Sequence, residues 1–274
     1  MTINCHGKLI NLDSPKIMGI LNLTPDSFYD GGRYKNEQDF LQQTEKMLNE
    51  GATFIDLGAY SSRPGAKNIS EEEELQRIIP VIELLIKEFP EIILSIDTFR
   101  SKVAQQTIKA GAAIINDISA GNLDKAMIQT AANMQVPYIM MHMKGNPQTM
   151  QQQTDYKNML QEITYYFSKK IKEARSLGVK DLILDPGFGF SKTHQQNFSL
   201  LKEMSFFKQL NCPILAGVSR KSMIYKTLNT GPDKALNGTS VLNTIALLNG
   251  ASILRVHDVQ AAKECVSLFK QLNN

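Results

Sequence analysis

Short apolar segments rich in β-branched residues alternate with amphipathic stretches of helical length along the chain. Continuous apolar runs of this length are typical of strands that are buried on both faces of a parallel sheet. Eight such runs occur, in the order KIMGILNL, TFIDLGAY, IILSIDT, AIINDIS, PYIMMHM, DLILDPG, PILAGVS and SILRVHD. The pattern therefore predicts an α/β protein with eight parallel strands.

The stretches between these runs carry the start and stop signals of helices. Ser70 followed by Glu73 predicts a capping box at the start of EEEELQRIIPVIELLIKEF. Glycine, which terminates many helices, precedes several of the predicted strands. These glycines are Gly51, Gly111, Gly178 and Gly250. Each unit is thus a strand followed by a helix.

The alternation continues without a break in composition, which favours one domain over residues 1–274. The simplest architecture is a single (β/α)8 TIM barrel with long, mobile loops after strands 1 and 2. A doubly wound open sheet remains the alternative, because strand order cannot be read from one sequence.

Composition and charge exclude several functional classes. The chain is 42% hydrophobic and 21% charged, as in globular enzymes, and its net charge is only +3. Lysine and arginine are dispersed among acids, which argues against a nucleic-acid partner. Cys5, Cys212 and Cys265 are too far apart for a disulfide framework or a CxxC metal pair. The apolar stretches are too short to span a bilayer, and the N-terminus lacks a signal-like apolar region. We expect a cytoplasmic protein without a membrane partner.

Every predicted strand becomes polar at its C-terminal end. The residues are Asn22, Asp56, Asp97, Asn116 with Asp117, His142 with Lys144, Asp185, Ser219, and Arg255 with His257. One such residue alone is usually a helix cap or a turn former. In a barrel, however, all these ends surround one mouth, where active sites of this fold are built. Burying the whole ring is costly without polar partners, so we predict a polar ligand.

The ring divides into acceptors and donors. Asp97, Asn116 and Asp185 can accept hydrogen bonds from adjacent N–H groups on a flat heterocycle. The donors, suited to phosphate oxygens or ring carbonyls, are Arg63, Lys221, Arg255 and His257. Arg255 and His257 are two residues apart in a strand, so their side chains share one face. One pocket would then bind a molecule with an aminopyrimidine-like end and an anionic end.

Two loops are expected to overhang this mouth. NLTPDSFYDGGRY carries Asp26, Phe28 and Asp30, and SSRPGA carries Arg63. GFGFSKT lacks the spacing of a phosphate-binding P-loop, and the four histidines lack the spacing of a zinc site.

The ordered motifs resemble those of one family. IMGILNLTPDSFYDGG and FIDLGAYSSRPGA resemble the two signature regions of the dihydropteroate synthases, and SIDT, INDIS, LDPGFGF, GVSRKSMI and LRVHD follow in the family's order. The similarity extends from about Ile17 to Val259. It implies a TIM barrel and a Mg²⁺-dependent, homodimeric enzyme. The implied reaction joins p-aminobenzoate to 6-hydroxymethyl-7,8-dihydropterin diphosphate and releases diphosphate.

The resemblance also implies roles for individual residues. The implied pterin-binding residues are Asp97, Asn116, Met140, Asp185, Phe190 and Lys221. The implied diphosphate-binding residues are Asn22, Arg63, Arg255 and His257, with Asn22 also contacting Mg²⁺. The implied p-aminobenzoate-binding residues are Phe28, Ser62, Arg63, Pro64, Phe190, Ser219 and Lys221. The implied catalytic residues are Asp30, Arg63, Lys221, Arg255 and His257.

Two positions depart from the family pattern, and two other functions remain open. Tyr60 replaces a glutamate or small residue, and Ser62 replaces a frequent threonine but keeps the hydroxyl. A pterin-dependent methyltransferase would share the acidic ring but should not need Arg255 with His257 or the SSRPGA loop. A non-catalytic pterin-binding paralogue should have lost loop or anion-binding residues.

Overall fold

A computed structural model describes residues 1–23, 37–60 and 69–272. Its main feature is an eight-stranded parallel sheet that curves into a barrel. The strands are β3 (Lys16–Asn22), β4 (Phe54–Gly58), β5 (Leu94–Asp97), β6 (Ile114–Asp117), β7 (Tyr138–Met141), β8 (Leu182–Asp185), β9 (Leu215–Ala216) and β10 (Ile253–Val256). All eight coincide with the apolar runs that the sequence pattern selected.

Strand order distinguishes the barrel from an open sheet. Each strand from β3 to β8 lies beside the next one along the chain, and β10 pairs with both β3 and β9. The remaining gap is closed by a parallel bridge between Leu184 and Ile214. The predicted (β/α)8 barrel is therefore confirmed, and the doubly wound alternative was wrong.

Helices follow the strands around the outside. They are α1 (Glu37–Asn49), α2 (Glu71–Glu88), α3 (Ser101–Lys109), α4 (Met127–Met134), α5 (Met159–Ser176), α6 (His194–Lys202), α7 (Ser222–Tyr225), α8 (Leu236–Leu248) and α9 (Val259–Leu272). All four predicted terminating glycines have positive φ, a conformation that glycine adopts without steric cost. Among the described residues, no helix is long and apolar enough to cross a membrane.

The predicted capping box is only half formed. The Ser70 hydroxyl accepts a hydrogen bond from the Glu73 N–H, at 3.1 Å. The Glu73 carboxylate instead pairs with Arg77, one helical turn later. An ion pair at i,i+4 competes for the side chain that a capping box requires.

An N-terminal hairpin, which the strand pattern did not predict, closes the bottom of the barrel. Strands β1 (Thr2–Cys5) and β2 (Lys8–Asn11) pair antiparallel. Their buried side chains, Ile3, Cys5 and Ile10, pack with residues from the lower part of the barrel strands. The hairpin thus covers the N-terminal ends of the barrel strands, and the polar ring lies at their C-terminal ends.

Candidate active site

Strand register brings the predicted acceptors to one end of the barrel. Asp97 lies opposite Asn116 on the neighbouring strand, and Met141 lies opposite Asp185. Asn116 and Asp185 are buried, and the Asp97 side chain is only 20% exposed. Parallel strands end at the same edge of a sheet, so the predicted ring is a shared surface.

Arg255 lies between two carboxylates of this ring. Its Nε donates to Asp56 Oδ2 at 2.6 Å, and its Nη2 donates to Asp97 Oδ2 at 2.7 Å. A guanidinium has five N–H donors, so three of them remain for a ligand. A division of the ring into separate donors and acceptors is too simple, because the arginine and the two acids form one hydrogen-bonded cluster.

Asp185 and Lys221 form the opposite side of the ring. Asp185 Oδ1 accepts a hydrogen bond from Gly187 N at 2.8 Å, and Lys221 Nζ donates to the Phe188 carbonyl. Lys221 Nζ also lies 5.1 Å from the centre of the Phe190 ring, a cation–π distance. An ammonium, a carboxylate and an aromatic face are thus close together, as a flat polar ligand requires.

Burial changes the acidity of these groups. It raises the pKa of Asp97 to about 7; Arg255 opposes the rise and Asp56 adds to it. It also raises the pKa of Asp185, with the positive charge of Lys221 opposing, and it lowers the pKa of Lys221 to about 8. Perturbed values at one mouth are typical of functional sites.

Ser219 and His257 are paired on the strand ends next to Lys221. The Ser219 hydroxyl lies 3.0 Å from His257 Nδ1 and accepts a hydrogen bond from His257 N at 3.2 Å. Because the hydroxyl oxygen accepts from the backbone, its own hydrogen is free to point at Nδ1. The imidazole and the hydroxyl are thus hydrogen-bonded to each other, and the tautomer of His257 decides which of them donates.

The other predicted residues are placed as follows. Asn22 ends β3 and is half-buried, Met140 is fully buried in the barrel core, and Phe190 packs at the edge of a methionine-rich cluster. Five of the predicted site residues lie outside the part of the chain that the structure describes: Phe28, Asp30, Ser62, Arg63 and Pro64.

Arg100 holds the residues on either side of segment 61–68. Its Nη2 donates to the Ile69 carbonyl at 2.6 Å, and its guanidinium carbon lies 5.2 Å from the Tyr60 ring centre. Tyr60 also meets Phe99 edge to face, at 5.0 Å. The departure at Tyr60 is therefore accommodated by an aromatic and cationic contact at the start of the second loop.

Sequence reasoning missed Lys192, which organises the loop after β8. Its buried Nζ donates to the Gly187 carbonyl at 3.0 Å, to the Phe190 carbonyl at 3.0 Å and to His142 Nδ1 at 3.1 Å. Burial lowers the pKa of Lys192 to about 7, and it lowers that of His142, which keeps the imidazole neutral. Lys192 belongs to the GFGFSKT segment, where it supports the loop that carries Phe190.

We expect Lys192→Met to loosen this loop. Two buried acceptors and one part-buried acceptor would lose their donor, and each unsatisfied buried group costs about 1–3 kcal/mol. The free energy of unfolding should fall by at least that amount, and affinity for a pterin should fall with it. Denaturant unfolding and calorimetric titration with 6-hydroxymethylpterin would measure both. Lys202→Met, on the exposed side of α6, is the matched control and should change neither; equal effects of the two variants would contradict this role.

Metal-ligating groups are sparse among the described residues. No cluster of three or more His, Cys, Asp or Glu side chains that could hold an ion occurs there. Asn22 offers one amide oxygen at the mouth. Such a donor suits Mg²⁺ only when substrate oxygens and water complete the coordination.

Comparisons with known proteins agree with this geometry. Residues 18–257 match the family described as pterin binding enzyme. Dihydropteroate synthase of Escherichia coli strain K12 is 43% identical over 272 residues, covering 98% of this chain and 96% of the relative. The chain is thus a pterin-binding enzyme by class.

Solved structures narrow the class further. Dihydropteroate synthase of Yersinia pestis with a sulfonamide drug superposes with a TM-score of 0.94 at 39% identity, covering 100% of this chain and 99% of that one. The Xanthomonas albilineans synthase with 4-aminobenzoic acid has a TM-score of 0.91 at 34% identity, with coverage of 99% and 98%. The chain belongs to the dihydropteroate synthase family, whose members are transferases.

Proposed function

We propose that this protein condenses 6-hydroxymethyl-7,8-dihydropterin diphosphate with p-aminobenzoate to give 7,8-dihydropteroate and diphosphate in folate synthesis. The observation that carries the proposal is the cluster in which Arg255 is hydrogen-bonded to Asp97 and lies within electrostatic range of Asp185. A single small molecule can therefore reach both an anion donor and the acids that suit a pterin.

The ring end of the substrate is assigned to Asp97, Asn116 and Asp185. Carboxylate and amide oxygens accept hydrogen bonds from the adjacent N–H groups of an aminopyrimidine edge. Met140, Phe190 and Lys221 complete this end of the pocket in the proposal.

The reaction is proposed to be dissociative. The carbon–oxygen bond breaks first, because the pterin ring delocalises positive charge on its exocyclic methylene, and the bonding electrons leave with the diphosphate. Arg255, His257 and Arg63 donate hydrogen bonds to the departing group. Asp97 and Asp185 stabilise the cation that remains. The neutral aniline nitrogen then attacks, and its proton passes to solvent or to the released diphosphate.

A magnesium ion fits the donor set of the mouth. Asn22 would hold it through one amide oxygen, and no described side chain hydrogen-bonds to that amide. When bound, the ion supplies positive charge to the diphosphate. Leaving Mg²⁺ out of the activity assay tests whether the reaction requires the ion.

The p-aminobenzoate end is assigned to the groups nearest the loops. Ser219, Lys221 and Phe190 belong to the described part of this subsite, and the proposal adds Phe28, Ser62, Arg63 and Pro64. Asp30 is proposed as an acid of the first loop that acts in the reaction.

An omission assay tests the function. Purified protein is incubated with pterin diphosphate, p-aminobenzoate and Mg²⁺, and dihydropteroate is quantified as each component is omitted in turn. Product that requires both organic substrates supports the proposal. Pterin binding without product would indicate a non-catalytic paralogue, and methyl transfer from a methylated pterin would indicate the methyltransferase alternative.

The chain is proposed to act as a cytoplasmic homodimer with one catalytic domain over residues 1–274. Exposed apolar side chains on α8 support the dimer, since a helix that is apolar on more than its buried face normally has a partner. They are Leu236, Val241 and Leu248, each about half exposed.

We expect Val241→Asp to convert the dimer to monomer. A carboxylate on this face would be desolvated by association, which costs several kcal/mol. Sedimentation velocity measures the change, and Gln260→Asp on the exposed side of α9 is the control. A monomeric wild-type protein, or an unchanged dimer in Val241→Asp, would contradict this interface.

A further inference from the structure

Asp56 is a fully buried acid to which neither motif nor resemblance gave a role. Its Oδ2 accepts two hydrogen bonds from different strands: one from Arg255 Nε at 2.6 Å and one from Asn116 Nδ2 at 3.1 Å. Both donors belong to the proposed substrate site. Asp56 is therefore the common support of two residues that come from distant parts of the chain.

The second oxygen of Asp56 is unusual. Within the described ranges, Oδ1 is buried and has no hydrogen-bond partner, and the same holds for the Ser95 hydroxyl at the matching position of β5. Buried polar atoms without partners are rare and costly, so they need an explanation.

Asp117 shows what a purely structural acid looks like at an equivalent strand end. Its two oxygens accept hydrogen bonds from Ser119 N, Ser119 Oγ, Gly121 N and Tyr138 Oη. All of these donors are local or belong to the core. Asp56, in contrast, is bonded only to side chains of the proposed site, and one of its oxygens is left over.

The contact with Asp56 also fixes the orientation of the Asn116 amide. Because Asp56 is an acceptor, the amide must turn its NH₂ group towards it. The Asn116 carbonyl oxygen then faces away from Asp56. Asn116 is thereby set as an acceptor, in line with the acidic Asp97 and Asp185.

We propose that Asp56 is a positioning residue for pterin recognition, which orients the Asn116 amide as an acceptor and fixes the guanidinium plane of Arg255. The inference rests on the proposed function of the site. It deepens that function by naming the group that makes the pocket select a ligand edge rich in N–H donors. Asp56 acts through its two partners and need not touch the substrate.

The arrangement has a consequence for pH dependence. The charged or titratable groups that face Asp97 are Arg255, Asp56, Glu74, Asp117 and Lys221. Asp56 helps to raise the pKa of Asp97, so removing its charge lowers that pKa. If pterin binding needs the Asp97 carboxylate, affinity is lost as pH falls through this pKa, and the loss moves to lower pH in a variant without the Asp56 charge.

The test is Asp56→Asn, which keeps the shape but removes the charge, so that only a neutral amide oxygen remains to accept from Asn116 and Arg255. We expect the Kd for 6-hydroxymethylpterin, measured by calorimetry, to rise about 10-fold, because hydrogen bonds from Asn116 and Arg255 to a charged acceptor are replaced by weaker ones to a neutral amide oxygen. The KM for p-aminobenzoate should stay within about threefold, and the acid limb of pterin binding should move to lower pH.

Two further variants distinguish a role in pterin binding from a role in folding. Asp117→Asn removes a charge of equal burial that contacts neither Asn116 nor Arg255, and it should lower the free energy of unfolding while leaving the pterin Kd unchanged at a pH above the acid limb, although its charge too acts on Asp97. Asp56→Ser is the second variant, in which a smaller hydroxyl leaves room for water, and it should also weaken pterin binding.

An unchanged Kd and an unshifted acid limb in Asp56→Asn would overturn the proposal. So would unfolding of both Asp56 variants, because Asp56 would then be structural. Pterin affinity is measured without turnover, so an inactive wild-type protein would contradict the proposed reaction and not this inference.

Discussion

Arg255→Ala is expected to lower kcat/KM for dihydropteroate formation by about 100- to 1000-fold, the loss typical of removing a preorganised donor from a developing anion. The same change also removes the partner of two carboxylates. Arg255 Nε and Nη2 are bonded to Asp56 and Asp97. Leaving buried acids without their cation costs about 3–5 kcal/mol, so the free energy of unfolding should fall as well.

Two further variants separate catalysis from stability. Arg255→Lys keeps the positive charge but loses the planar fork that reaches both acids, so it should recover stability more than activity. Arg77→Ala removes an arginine of equal exposure, whose ion pair with Glu73 lies on α2. The kcat/KM from steady-state kinetics and the free energy of unfolding from denaturant titration are compared for Arg255→Ala, Arg255→Lys and Arg77→Ala. Near-normal kcat/KM in folded Arg255→Ala would contradict the role of this residue.

Asp185→Asn is expected to weaken pterin binding by about 10- to 100-fold, the loss expected when a hydrogen bond to a charged group is removed. The carboxylate is buried and accepts from Gly187 N, and its charge balances Lys221 and Lys192. Asparagine keeps one acceptor oxygen but removes the charge. Turnover at saturating substrate should change less than affinity does, since Arg255 and His257 remain to support the leaving group.

Asp181→Asn is the matched control for this prediction. Asp181 comes just before the same strand at the opposite end of the barrel, where it accepts a hydrogen bond from Asn4 N. Calorimetric titration with 6-hydroxymethylpterin should detect weaker binding only in Asp185→Asn. Equal affinities in the two variants would place the pterin elsewhere.

Much of the fold could be predicted because its signals are local. Runs such as the one that forms β8 are apolar on both faces and end in a polar residue, which is the pattern of a buried parallel strand. The N-terminal hairpin escaped prediction because its strands are short and alternate weakly, and their burial depends on packing against the barrel floor.

The sequence predicts which residues lie at the candidate site, but it does not predict which of them hydrogen-bond to one another. Strand ends indicate that Asp97, Asn116 and Asp185 share a mouth, since register carries side chains to one edge. No sequence signal shows that Arg255 bonds to Asp56, which lies 199 residues away. Lys192 was missed for the same reason, because its three acceptors meet only after the loop folds.

A structure of the protein with 6-hydroxymethyl-7,8-dihydropterin diphosphate, in the absence of p-aminobenzoate, tests the central claim most directly. We expect the aminopyrimidine edge against Asp97, Asn116 and Asp185, and the diphosphate within hydrogen-bond distance of Arg255 and His257. A pterin ring bound outside this ring of side chains, or a diphosphate beyond the reach of Arg255, would contradict the account.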